Sequence, residues 1–338
     1  MKPFVSKSFL WTVIRLLDNS DRTKPVLIVG AGISGIACAR ELRDHGVPFK
    51  IINKGMKIGG RMASKSVRDS GTQYDGRVFD IGASYFTVSD PGFMELTDSM
   101  LNAGVVADWT DTFHVADSQG LGGVKVGPMR YTARKGIRSV VEYLAQDLEI
   151  TEGEVTDLDE IVLREQYSSI ALCMPTPQAA KIYPEAATIS PAQWEPVIAV
   201  SFLFAEKIWR DFDGVFVNGD NEITWIANDG TRRGDHAPAL VAHVHPVLAS
   251  HHLMDPQAVI PFALRAVQRT LGFIETPIWS HAHRWTFAKP LEGSTSALPL
   301  SHVGQISLAG DEFSEKPRVE AAWLSGRDLG RNLAQKFS

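Results

Sequence analysis

The stretch that most restricts what this chain can become is "VLIVGAGISGIACARELRDHGVPFKII", from Val26 to Ile52. Four apolar residues without a polar break predict a buried strand at Val26–Val29. Gly30, Gly32 and Gly35 follow at G-x-G-x-x-G spacing, and a helical pattern from about Ser34 to His45 stops at Gly46. A second strand at Phe49–Ile52 completes a βαβ unit, whose right-handed crossover places the glycine turn at the carboxyl end of a parallel sheet. Gly30 lets the chain turn sharply and Gly32 lets backbone approach a pyrophosphate. Gly35 lets the helix lie close to the strand, with Ala39 small on the same helix. Phosphates then meet the free N–H groups and positive dipole end of that helix, where Ile33 and Ser34 sit.

The next residues bear on which dinucleotide is held. About twenty residues past the turn, where an acid usually grips the adenosine ribose, the chain has Asn53, whose amide accepts more weakly than a carboxylate. Lys54 beside it is read either as a partner for a phosphorylated ribose or, preferably, as a solvated side chain. "IGGRM" at Ile58–Met62 supplies Gly59, Gly60 and Arg61: backbone that approaches phosphates closely and a guanidinium that bridges two oxygens. A second glycine loop with an arginine suits a permanently bound FAD better than a passing nicotinamide cofactor. The plain alternative is an ordinary turn followed by a surface arginine.

The chain has 338 residues, 44% hydrophobic and 22% charged, enough for a large core and for two domains. A formal charge of −5 offers no long-range attraction to nucleic acid or an anionic membrane, so small-molecule partners are expected. Cys38 and Cys173 stand far apart in apolar company, which supports neither a disulfide framework nor a zinc site and favours a reducing cytoplasm. Paired-cysteine and HExxH metal spacings are absent, as is the GxSxG elbow. The opening "KSFLWTVIRLL" contains Arg15 and lacks a small-residue cleavage site, so residues 1–24 read as a surface helix or frayed extension, not a secretory signal.

Further helices are predicted at Ile137–Leu148, Pro256–Leu271 and Val319–Phe337, the last with Val319, Ala322, Gly326 and Leu329 on one stripe. "EVTDLD" and "SSIALCMP" read as strands. "VIAVSFLFAEKIW", "GVFVNGDNEITWIAND" and "ALVAHVHPV" read as antiparallel strands between turns. The order implies an α/β fold: a Rossmann-like FAD-binding domain split by a strand-rich substrate domain. We place the first at 25–82, 134–185 and 300–338, and the second at 83–133 and 186–299.

Taken in order, "GAGISGIACA", "IGGRM", "FDIGASYFTVSD", "MRYTARKGIRSVVEYLA", "ALCMPTPQA", "AHRWTFAKP" and "AGDEFSEKPRVEAAWLSG" resemble the renalase-like flavoproteins of the wider amine oxidase superfamily. The resemblance runs from about Val26 to the C-terminus. It implies non-covalent FAD under a mixed sheet, and no cysteine lies near the C-terminal segment to form a thioether. It also implies flavin contacts from Met62, Gly82, Ala83, Ser84, Gly310, Asp311, Arg318, Val319 and Ala322. Asp311 is implied as the ribityl ligand, against a plain helix-entry role, and the helix starting near Val319 would aim its N–H groups at the flavin's O2 and N1 side. Two positions depart from the family pattern: Ser84 replaces a glutamine, and Asn53 replaces the ribose acid.

Because a flavin carries the redox chemistry itself, the protein's part is to orient the substrate and set the electrostatics. The resemblance sets Trp225, Asn228 and His243 beside the substrate. His243 is read as a hydrogen-bonding group or a structural histidine, and His245 as lying on the same strand face. Trp285 is read as a ring wall or a core aromatic, with His283, Arg284 and Lys289 near it. Arg130 and Arg318 are read as attracting a substrate phosphate or as surface residues. The resemblance implies an oxidase that takes a hydride from a 2- or 6-dihydro isomer of NAD(P) and passes the electrons to O2, giving H2O2. The alternatives are an amine oxidase or desaturase of the same superfamily, and a flavin-binding redox protein without turnover. The oligomeric state is left open.

Overall fold

The computed structural model describes residues 24–117, 120–156, 158, 166–190, 193–291 and 306–337. The expected N-terminal extension therefore lies outside the described residues, apart from Lys24.

Five parallel strands form the first sheet: β1 (Val26–Val29), β2 (Phe49–Asn53), β7 (Ile150–Glu152), β8 (Ser169–Leu172) and β14 (Ile306–Leu308), in the order β14-β8-β1-β2-β7. All four residues of β1 are buried, as expected of a central strand covered on both faces. The chain leaves β1 toward β2 on one side, while β8 pairs on the other. The carboxyl end of β1 is thus a topological switch point, where open α/β sheets take their ligands. Helix α1 (Ile33–Asp44) covers this sheet together with α2 (Pro91–Asn102), α3 (Arg138–Leu144) and α6 (Val319–Gln335). No helix among the described residues is long and apolar enough to cross a membrane.

The second sheet has seven strands in the order β13-β9-β12-β11-β10-β5-β6. They are β5 (Ala107–Asp117), β6 (Gly120–Thr132), β9 (Trp194–Leu203), β10 (Gly214–Val217), β11 (Ile223–Asn228), β12 (Ala239–Val244) and β13 (Trp279–Pro290). Every pairing is antiparallel except β10 with β5. Alternation along these strands separates two cores. Ile198, Val200, Phe202, Leu240, Ala242 and Ile226 pack on one face with helix α5 (Ile260–Leu271). Ala199, Leu203, Ala239, Val241, Trp225 and Ala227 face the other way, toward the small hairpin of β3 (Ser64–Ser66) and β4 (Val78–Asp80). That second face looks onto the switch point.

Three local expectations need adjusting. The strand expected at "EVTDLD" lies earlier, at Ile150–Glu152, where it extends the sheet beside β2; residues 157 and 159 of that segment lie outside the described ones. The helix expected to reach Leu148 ends at Leu144, and its tail closes in tight turns such as Leu148 N–H to Ala145 O. The helix expected from Pro256 begins as a 3-10 turn and becomes α-helical at Ile260.

Candidate functional site

A cavity of about 1100 Å³ opens at the carboxyl end of β1 and runs beneath the second sheet. Its floor is the glycine turn, where Gly30, Gly32, Ile33 and Ser34 line it. Gly30 has φ +104°, and a Cβ there would stand 2.6 Å from the Cys173 carbonyl oxygen. Only glycine relieves both constraints. Gly35 does not reach the cavity: its absent Cβ would lie 2.0 Å from the Gly30 oxygen, so it serves helix–strand contact. A Cβ on Gly32 would meet nothing within 4 Å, and no side chain caps α1 there. The helix therefore presents its N-terminal N–H groups to the cavity.

A second loop, Gly60–Met62, crosses above this turn, and all three residues line the cavity. Arg61 donates to both carboxylate oxygens of Asp311, at 2.6 and 3.1 Å, and to the Ala288 carbonyl at 3.1 Å. Gly82, Ala83 and Ser84 follow β4 into the same wall, pinned by the Ala83 N–H on the Arg61 carbonyl at 2.9 Å. Gly310, Asp311, Arg318, Val319 and Ala322 close the cavity from the C-terminal side. Arg318 donates to the Ser89 hydroxyl at 2.6 Å and pairs with Glu320. Glu320 also accepts from the Ser89 and Asp90 N–H groups, which seats the start of α6.

At the far end of the floor, Asn53 and Lys54 reach the cavity but are already engaged. Asn53 Oδ1 accepts from the Ala31 N–H at 3.0 Å and its Nδ2 donates to the Gly55 carbonyl at 2.6 Å, so this amide braces the glycine turn. Lys54 is largely solvated, as expected, with its side chain 75% exposed, and its ammonium pairs with Glu154 at 2.5 Å.

The roof comes from the second sheet. Trp225 and His243 are register partners on β11 and β12, on the face that looks into the cavity, and both line it. The Trp225 indole N–H donates to Ser84 Oγ at 3.1 Å, which sets the plane of this ring. His243 Nε2 is enclosed and has no hydrogen-bond partner among the described residues. Burial, with the nearby Arg232 guanidinium, pushes its pKa down to about 4, so the ring is neutral at physiological pH. Trp285 is both a cavity wall and a core aromatic, its N–H held at 2.5 Å by the Ile81 carbonyl. Arg284 and Lys289 line the cavity from the same strand.

Asn228 is not at the cavity. It stands three residues from Trp225, at the end of β11, and caps the short helix α4 (Asp229–Arg233), accepting from the Thr231 N–H and donating to the Phe212 carbonyl at 3.0 Å. His245 is not on the His243 strand face either. The strand ends at Val244, and His245 caps the following turn by accepting from the Val247 N–H. Arg130 is buried with its guanidinium 4.0 Å from the Phe113 ring centre, away from the cavity lining.

Sequence reasoning missed Tyr85, Phe216 and Glu154, which also line the cavity. Tyr85 and Phe216 pack against Trp225, with ring centroids 5.9 and 5.1 Å away. Tyr85 lies inside "DIGASYFT", so the signal was present; a lone phenylalanine on a short strand carries none. Both cysteines are free and buried, and desolvation raises the thiol pKa of Cys173 to about 12.

Residues 28–99 match the family described as NAD(P)-binding Rossmann-like domain. The chain is similar to the mitochondrial protoporphyrinogen oxidase of Nicotiana tabacum, at 34% identity over 83 residues, which are 25% of this chain and 15% of that protein. It is also similar to a lysine-specific histone demethylase 1 homolog of Oryza sativa subsp. japonica, at 39% identity over 64 residues, 18% of this chain and 8% of that protein. Each match thus spans a small part of the relative. In three dimensions the chain superposes on a putrescine oxidase triple mutant with a TM-score of 0.70 at 14% identity, covering 93% of this chain and 99% of the other. The chain therefore has the fold of that oxidase structure: a Rossmann-like domain joined to a strand-rich sheet.

Proposed function

We propose that this chain is an FAD-dependent oxidase that holds its cofactor without a covalent link and acts on a dihydronicotinamide isomer of NAD(P), with O2 as electron acceptor. The observation that carries this reading is the roof of the cavity, where neutral His243 and the fixed Trp225 ring stand side by side. Among the described residues, the only carboxylates lining the cavity are Glu154 and Asp311, each paired with a cation. An ammonium substrate would find no free counter-charge there, whereas an uncharged, electron-rich ring loses little by entering.

The residues present fit a flavin dinucleotide. The uncapped start of α1 and the open approach at Gly32 suit a pyrophosphate, with Arg61 as the bridging cation. Asp311 offers acceptors to polyol hydroxyls, and Val319 opens α6, whose positive end favours negative charge on a ring beside it. When bound, FAD supplies a two-electron acceptor that returns electrons to O2. The protein does the orienting. Trp225, its ring locked by Ser84, lines the roof beside the neutral His243 imidazole, which offers a hydrogen bond to a carboxamide, and Trp285 closes the side. In this reading the FAD-binding domain is 25–82, 134–185 and 300–338, and the substrate domain is 83–133 and 186–299.

The second reading, an amine oxidase, draws on the similar fold of a putrescine oxidase solved with putrescine bound. One experiment separates the two. The purified full-length protein is checked for flavin absorbance, then mixed without oxygen with 2- and 6-dihydro-NAD(P) isomers and, separately, with diamines. Bleaching within seconds by the isomers alone is expected. Bleaching by diamines reassigns the substrate, and protein that neither carries nor takes up FAD removes the reading.

A further inference from the structure

We propose that Glu154, and not Asn53, grips the adenosine ribose of the bound dinucleotide; the proposal rests on the FAD reading above. In this type of fold an acid at the end of the second strand accepts from the ribose hydroxyls. Asn53 holds that position but its amide is turned to the backbone, accepting from Ala31 and donating to Gly55. One lone pair remains on its oxygen, without the charge that makes a carboxylate the stronger acceptor.

The missing acid arrives from the neighbouring strand. β7 runs parallel to β2 with Glu152 opposite Asn53, and the Gly153 N–H donates to the Asn53 carbonyl at 3.0 Å. One residue further on, Glu154 stands at the cavity wall, where its Oε1 meets the Lys54 ammonium at 2.5 Å. Lys54 adjoins Asn53 in sequence, so this pair brings a carboxylate alongside the position where the usual acid would begin. The Glu154 side chain is 51% exposed, and its Oε2 has no hydrogen bond among the described residues. Two cis hydroxyls fit such a carboxylate. A 2′-phosphate does not, because the Glu154 carboxylate would repel it. The site thus selects an unphosphorylated adenosine ribose, with the acid moved from the second strand to its neighbour.

The test uses full-length protein stripped of FAD and titrated with FAD, ADP and 2′,3′-dideoxy-ADP, the nucleotides being measured by displacement of FAD. Wild type should prefer ADP over the dideoxy compound by roughly tenfold, the scale of one charge-assisted hydrogen bond. Glu154→Gln should weaken FAD by a similar factor and abolish the preference, while Glu154→Asp retains part of it. Asn53→Ala should loosen FAD through the turn yet keep the preference. If Glu154→Gln leaves affinity and preference intact, or if Asn53→Ala is the variant that removes the preference, the inference falls while the FAD reading stands. If wild type takes up no FAD, both fall.

Discussion

Arg61 and Asp311 lie 250 positions apart in the chain and meet in a two-pronged ion pair across the cavity. The pair ties the second glycine loop to the segment that opens the C-terminal helix, so the two ends of the proposed FAD site are coupled before any ligand contact is considered. Both side chains are largely buried, 27% and 11% exposed. Asp311→Asn and Arg61→Met should each lower stability, and a double-mutant cycle in urea should give a coupling of about 1–2 kcal/mol. Asp311→Asn should also weaken FAD at least roughly tenfold, by losing the charged acceptor. Purely additive single changes would contradict the coupling.

Gly326 controls how closely α6 packs on α1. A Cβ there would lie 2.0 Å from the Ser34 carbonyl oxygen, and no rotamer change relieves a clash with backbone. Gly326→Ala should therefore separate the helices and cost about 2–3 kcal/mol of stability. Because Ser34 belongs to the first turn of α1, the same change should raise the dissociation constant for FAD. Unchanged urea midpoints and FAD affinity would mean that the helices slide apart without consequence.

What the sequence revealed and what it concealed divide along the range of the interactions. The βαβ opening was legible because a buried strand, three glycines and a helix stop all act within 27 residues, and the structure places them as expected. Asn228 was misplaced although the information was local: residues three apart on a strand face opposite ways, so a cavity-facing Trp225 already turns Asn228 aside. Glu154 was invisible because its meaning comes from Lys54, 100 positions away, and from β7 pairing with β2. The buried charges around Asp229 were equally hidden, since the partners of Asp229, Arg232 and Arg233 include Asp80 and Arg77, the latter 152 positions from Asp229.

Asp229 is fully buried among Arg77, Arg232 and Arg233, and Asp80 faces Arg232 and Arg233 from β4. Burial alone would raise the Asp229 pKa, but the guanidiniums of Arg232, Arg233 and Arg77 overcome it and hold the carboxyl well below its ordinary 3.8. A carboxylate depressed in this way contributes its stabilisation fully above the unfolded value and loses it as pH falls through the folded one. Asp229→Asn leaves buried guanidiniums uncompensated and should cost about 3–5 kcal/mol near neutral pH. The gap between wild type and variant, followed by urea denaturation, should narrow as pH drops below about 4. A gap that stays constant down to the acid limit would show that the cluster is held by hydrogen bonding rather than charge.

His243 should govern turnover without governing cofactor retention. Its ring faces the cavity while Gly30, Arg61 and Asp311 lie on the floor and C-terminal wall, so His243→Phe should fold and bind FAD as wild type does. Losing one oriented hydrogen bond to the substrate should lower kcat/KM roughly 10- to 100-fold. The ring has an ordinary pKa of 6.5, pushed down to about 4 in the fold by burial and then by Arg232. Its neutral form thus persists to about pH 5, and activity on a donor whose reacting ring is uncharged should stay level before falling with an apparent pKa near 4. The same shift acts on stability: the contribution is complete above 6.5 and declines as pH falls toward 4, because the unfolded chain binds the proton first. His243→Phe should remove the acid limb of the activity profile and flatten part of the stability slope, a part only, because burial also pushes the pKa of His283 down to about 4. If the variant keeps wild-type kcat/KM and the same acid limb, His243 is a packing residue and the roof of the cavity orients its substrate by ring faces alone.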